Sequence, residues 1–104
     1  YSETGRGDWY SVAYRDDIPD PVCMGSMTNT SDGTVLHINC AAKKTRTDLT
    51  LRVSEDGMKT YTDYLIDERA GYSDVAADAD RREAYILYER DVDDDGLYFT
   101  TVKY

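Results

Sequence analysis

The chain is poor in the residues that break, staple or anchor a fold: two prolines, two cysteines, one histidine, one tryptophan and one phenylalanine in 104 residues. His37 stands alone, with no histidine or cysteine partner at ligand spacing, so it reads as packing or surface and no metal site is expected. No apolar run approaches the roughly 20 residues of a helical bilayer span, and none follows a basic N-terminus as in a secretion signal. Basic residues are also scarce, 12 against 21 acidic, for a formal net charge of -9. That balance opposes binding to phosphate backbones and anionic lipid, so nucleic acid and membrane insertion are poor expectations. The length allows one small domain and no second one. The chain starts at Tyr1, without an initiator methionine, and is expected to be a piece of a longer polypeptide, which leaves the compartment open.

What the chain has in abundance is tyrosine, ten residues of it. Aromatic and β-branched side chains fit a pleated, half-buried surface and favour strands over helices. Alternating apolar and polar residues predict short strands near 9 to 15, 21 to 28, 34 to 39, 47 to 53, 60 to 66, 72 to 77, 83 to 89 and 97 to 103. Turns are expected at Ser31-Asp32-Gly33, at 78 to 82 and at Asp93-Asp94-Asp95-Gly96. Short strands at this spacing mean a sandwich, a barrel or a propeller. A repeat favours the last. Ser54-Glu55-Asp56-Gly57-Met58-Lys59-Thr60-Tyr61 and Ser2-Glu3-Thr4-Gly5-Arg6-Gly7-Asp8-Trp9 both place an aromatic seven residues after a serine, and the serines are 52 apart. Periods of that size belong to four-stranded propeller blades.

On these residues the sequence resembles the sialidases. Ser54, Asp56 and Thr60 match the family's Asp box, with Met58 where glycine is usual and Tyr61 where tryptophan is usual; the first copy keeps Ser2 and Trp9. Four further segments follow in family order: Asp20-Pro21-Val22-Cys23-Met24-Gly25-Ser26, Arg46-Thr47-Asp48-Leu49-Thr50-Leu51, Gly71-Tyr72-Ser73-Asp74-Val75 and Leu87-Tyr88-Glu89. The resemblance covers almost the whole chain. It implies an all-β fold: residues 1 to 104 as a single partial domain, about two four-stranded blades of a six-bladed propeller. Residues 9 to 15 would be the outer strand of one blade, 21 to 66 a complete blade, and 72 to 103 three strands of the last.

The resemblance further implies part of an exo-α-sialidase, hydrolysing terminal sialic acids from glycoconjugates with retention and without a cofactor. Arg46 falls at the third arginine of the family's carboxylate clamp, where a planar guanidinium donates paired hydrogen bonds to a carboxylate. Tyr72 stands at the nucleophile, a neutral group that escapes the repulsion a carboxylate nucleophile would meet from the substrate's own anion. Glu89 stands where an acidic residue orients an arginine, and Met24 replaces the usual glutamine of its segment. The other arginines, the base that activates the tyrosine and the acid that serves the leaving group are expected outside this chain, in the N-terminal blades. The expected partners are therefore sialylated glycans and those remaining blades, and the resemblance is compatible with a secreted or cell-surface bacterial enzyme.

Blander readings exist for each residue. Arg46 could be a solvated loop arginine in the run Lys43, Lys44, Arg46; Tyr72 could be ordinary strand packing; Glu89 could pair with Arg90. The tripeptide Arg6-Gly7-Asp8 sits inside a turn and recurs by chance. Asp91, Asp93, Asp95 and Gly96 start like a calcium loop but lack the glutamate at position twelve, which is Val102, and read as a hairpin turn. Cys23 and Cys40 are mirror-related about the Ser31-Asp32-Gly33 turn, so a disulfide and two free thiols are both open. At the level of function, the alternative to an enzyme is a non-catalytic Asp-box propeller module that binds glycans or scaffolds.

Overall fold

The computed structural model describes every residue except Tyr1, Glu3, Asp8, Ser11, Val92 and Asp93, and leaves aside the side chains of Asp91, Asp94 and Asp95. Asp8 of the Arg-Gly-Asp tripeptide, Asp93 and the carboxylates of the calcium-like run therefore lie outside the described residues.

Among the described residues the chain is all-β, with seven antiparallel strands in two sheets and no helix. The first sheet is a meander of β1 (Ser26–Asn29), β2 (Val35–Cys40), β3 (Thr47–Ser54) and β4 (Thr62–Arg69). The second is β5 (Ser73–Asp78), β6 (Glu83–Asp91) and β7 (Asp94–Lys103). Every ladder joins strands adjacent in sequence, as short turns between antiparallel strands dictate.

Residues 9 to 15 do not form the expected strand: Trp9, Tyr10 and residues 12 to 15 belong to none, and Val12 and Tyr14 are 80% and 99% exposed. Alternation is only half of what a strand needs; the other half is a ladder partner for its backbone, and neither sheet of the described residues includes this segment. The second expected strand shortens to β1, because Val22 adopts φ 63° and breaks the extended run ahead of Ser26. The last turn also shifts, and Asp94 to Gly96 open β7 instead of forming the turn itself.

Period-2 alternation explains the core. Leu36, Ile38 and Cys40 of β2 oppose Val53, Leu51 and Leu49 of β3, and this apolar face joins Val75, Ala84, Ile86 and Tyr88 of the second sheet in one cluster. Complete burial of a leucine-sized side chain contributes about 1.5–3 kcal/mol, and Leu36, Ile38, Leu49, Leu51 and Ile86 are all fully buried. The other face of β2 and β3 is polar. There Arg52, 3% exposed, donates to Asn39 Oδ1 at 2.7 Å, and the Asn39 amide donates to Pro19 O at 2.8 Å and Asp20 Oδ2 at 3.0 Å. This fastens residues 19 and 20 across the sheet, and His37 sits half-buried beside them. Burial first, and Arg52 second, lower the His37 pKa.

Candidate functional site

Antiparallel strands bring chain-distant residues to common ends. Arg46 immediately precedes β3, Tyr72 immediately precedes β5, and Glu89 lies late in β6, so all three fall at one end of the two sheets. The Arg46 guanidinium carbon stands 5.0 Å from the Tyr72 ring centre. Hydrogen bonding to the Tyr72 side chain is the largest influence raising the Arg46 pKa, and the neighbouring Cys23 is next. Arg46 is therefore a fixed cation placed against a phenol, and Lys43 and Lys44 of the same exposed loop add positive charge to this corner of an acidic chain.

Glu89 reaches Tyr72 through the backbone, its N–H donating to Tyr72 O at 2.9 Å. Gly71 makes that approach possible, because a Cβ there would lie 3.3 Å from Glu89 Oε2. Among the described residues the Glu89 carboxylate makes no ion pair. Arg90, its neighbour in sequence, instead bonds Asp67 Oδ2 at 2.9 Å and covers the Tyr98 ring at 4.5 Å. The Glu89 carboxylate is left available to a cation from elsewhere.

Met24, Tyr72, Asp74, Leu87, Glu89 and Leu97 line a cleft of about 190 Å³ beside this group. Ligand pockets usually enclose about 300–1,000 Å³, so the cleft amounts to one wall of a small-molecule site. Tyr72 is 42% exposed on this wall. Of that wall, Leu87 belongs to a segment that carries the resemblance but is given no role of its own, and Leu97 carries no sequence signal of function. They lie on the face of β6 and β7 opposite the buried Ile86 and Tyr88, and that alternation alone could have singled them out.

The residues matched to the Asp box lie elsewhere. An eight-residue strand rises about 25 Å, so the turn after β3 is at the far end of the sheet from Arg46. Ser54 Oγ, buried, accepts from Met58 N at 2.9 Å and donates to Asp56 Oδ1 at 2.8 Å. The Asp56 carboxylate accepts from Lys59 N at 3.0 Å, Thr60 N at 2.9 Å and Thr60 Oγ1 at 2.6 Å. These bonds, led by Thr60, lower the Asp56 pKa from 3.8 to about 2. Met58, at the usual glycine position, has φ 65°, which accounts for the preference for glycine there. Gly5 and Gly57, each three residues after its serine, have φ 68° and 71°, and Ser2 Oγ likewise accepts from Gly5 N at 3.1 Å. The two copies share this one left-handed glycine and then diverge, the next positive φ falling at Gly7 in the first and at Met58 in the second. Tyr61, the box aromatic, donates to Asp17 Oδ2 at 3.0 Å and lies under Arg52 at 5.7 Å, which ties the turn to the N-terminal segment.

The turn, Arg82 and Tyr104 enclose a larger cleft of about 490 Å³ at this far end. Its charged groups are already engaged. Arg82 donates to Glu55 Oε1 at 3.1 Å and Tyr104 O at 2.9 Å and covers the Tyr104 ring. No group of three metal-ligating side chains converges among the described residues, and no helix of the chain is long and apolar enough to cross a membrane.

The fold and site define an all-β chain with a cationic, tyrosine-bearing corner. No protein-family model matches it, and no curated protein matches it closely enough to count as a relative.

Proposed function

We propose that this chain is the C-terminal part of a sialidase-type β-propeller, each sheet a blade, and that it supplies one wall of an exo-α-sialidase site. The observation that carries the reading is the convergence of Arg46, Tyr72 and Glu89, 26 and 17 residues apart in sequence, with the guanidinium 5.0 Å from the phenol ring centre. The Asp-box turn supports the blade assignment and, being at the far end, has no part in the chemistry.

Sialic acid bears a carboxylate on its anomeric carbon. In the proposed reaction Arg46 donates to that carboxylate, and its fork fixes the plane of the anion where a lysine would supply charge alone. The Tyr72 oxygen attacks the anomeric carbon as the bond to the aglycone oxygen breaks, and the phenolic proton passes to a base. The leaving oxygen takes a proton from an acid. Water then displaces the tyrosine from the face that the aglycone left, and the two inversions give net retention. A neutral phenol is a weak nucleophile and needs that base beside it. The base, the acid and the remaining arginines belong to the N-terminal blades, and Glu89 would orient one of those arginines across the centre of the ring. The 104 residues alone are expected to release no sialic acid.

The test is turnover of a fluorogenic α-sialoside by the longer polypeptide that contains this chain, as wild type, Tyr72→Phe and Arg46→Ala. Activity in the wild type with losses of orders of magnitude in both variants supports the reading. An inert wild type that still binds sialylated glycans would make it a non-catalytic Asp-box propeller module.

A further inference from the structure

We infer that Cys23 and Cys40 form an oxidisable pair, a modification site at which a small-molecule disulfide of the glutathione class drives closure to an intramolecular disulfide. Both are free thiols in this structure, Cys23 half-buried and Cys40 buried. The inference is independent of the proposed hydrolysis.

The geometry comes from three chain segments pressed together. Gly25 lies so close to β2 that a Cβ there would meet Ile38 O at 2.4 Å and Asn39 Cβ at 2.9 Å. Met24 O accepts from Ser73 N at 3.3 Å, and Cys40 Sγ donates to Gly71 O at 3.5 Å. The residues flanking Cys23 are thus held against both the end of β2 and the start of β5. Register alone would not pair the cysteines. Ser26 opposes Ile38, and continuing that ladder sets Met24 opposite Cys40. The alternation of β1 does not carry through residues 23 to 25, which join no strand: Met24 is 58% exposed while the Cys23 side chain packs against the core cluster that holds Cys40.

The two thiols differ in reactivity. Burial first, and hydrogen bonding to Cys23 second, push Cys40 up to about 12. Cys23 is the accessible one and reacts first. Its thiolate attacks one sulfur of the small disulfide, that S–S bond breaks, and a small thiolate leaves and takes up a proton. Cys40 then gives its proton to solvent base, its sulfur attacks Cys23 Sγ, and the second small thiol departs. Two protein thiols lose two electrons in all, and one small disulfide becomes two thiols. Ring closure is the slow step, and its rate should climb about tenfold per pH unit with the Cys40 thiolate fraction.

The site lies behind the Arg46–Tyr72 corner. Closure removes the S–H donor from Gly71 O, the carbonyl next to Tyr72, and joins the segment carrying Met24 to β2.

The experiment incubates the chain with oxidised and reduced glutathione at a series of ratios, quenches with an alkylating agent, and reads intact mass and protease fragments. The expected product is a monomer that has lost two hydrogens, retains no glutathione and yields one fragment pair linked through Cys23 and Cys40. Cys40→Ser should stop at a stable glutathione adduct on Cys23. A wild type that holds glutathione on Cys23 with Cys40 still a thiol at equilibrium, even at raised pH, would overturn the inference. So would disulfides formed only between copies.

Discussion

A Cβ on Gly71 would lie 3.0 Å from Glu89 Cβ and 3.2 Å from Glu89 O, both parts of the molecule that cannot swing aside. Gly71 is not in the left-handed region, so its requirement is space and not conformation. The contact holds the residue before Tyr72 against the residue proposed to orient an arginine.

Gly71→Ala is therefore expected to destabilise the chain by about 1–3 kcal/mol, the usual cost of forcing extra volume into a packed site. Urea midpoints of the two proteins check this. An unchanged midpoint would mean that β5 and β6 separate more easily than their ladder implies.

Ser54→Ala removes a buried hydroxyl that accepts from Met58 N and donates to Asp56 Oδ1. The expected loss is about 1–3 kcal/mol, because a backbone N–H is left without its acceptor. Thr60→Val should cost less, since Asp56 keeps its backbone donors. Thermal melts of the two variants should fall in that order.

Stability should decline as acid is added below about pH 4. Asp56 falls from 3.8 to about 2 in the folded chain, and Asp32 is lowered by its bonds to Thr30 and Thr34. A depressed folded pKa means that the stabilising contribution is complete above the unfolded value and disappears as pH drops through the folded one. Asp56→Asn should flatten the acid limb of a plot of melting temperature against pH. An unaltered slope would show that the turn keeps its bonds when protonated.

Arg52→Ala is expected to cost about 1–3 kcal/mol, the scale for leaving a buried polar group without its partner. Asn39 Oδ1 would lose its donor and the Tyr61 ring its covering cation. Amide hydrogen exchange should quicken over residues 15 to 20, which this face of the sheet fastens. Exchange confined to β3 would instead mean that Asn39 alone holds the segment.

The sequence was most informative where a strand's periodicity and its neighbours agreed. Leu36, Ile38, Leu49 and Leu51 alternate in sequence or sit in continuous apolar runs, and each lies in the core. The run from 9 to 15 shows the limit, because nothing in its own residues records whether a partner strand will be present. The cysteines show another. Mirror symmetry about Ser31-Asp32-Gly33 ignores the one-residue offset of the real register, and the irregular path of residues 23 to 25 that compensates for it follows no periodicity. The meeting of Arg46 and Tyr72 was legible only through motif order, since side chains 26 positions apart share no periodicity. Leu97 carries no signal because a leucine on an exposed strand face is common and has no chemistry of its own.

Because every ladder joins sequence neighbours, the distances the chain must search while folding are short. Loop-closure entropy is small for each hairpin, so either sheet can pair from its own turns, while the contacts of β5 with β1 and β2 span the longer sequence separations. A unit that assembles from local pairings can be copied in tandem without teaching each copy a new long-range partner.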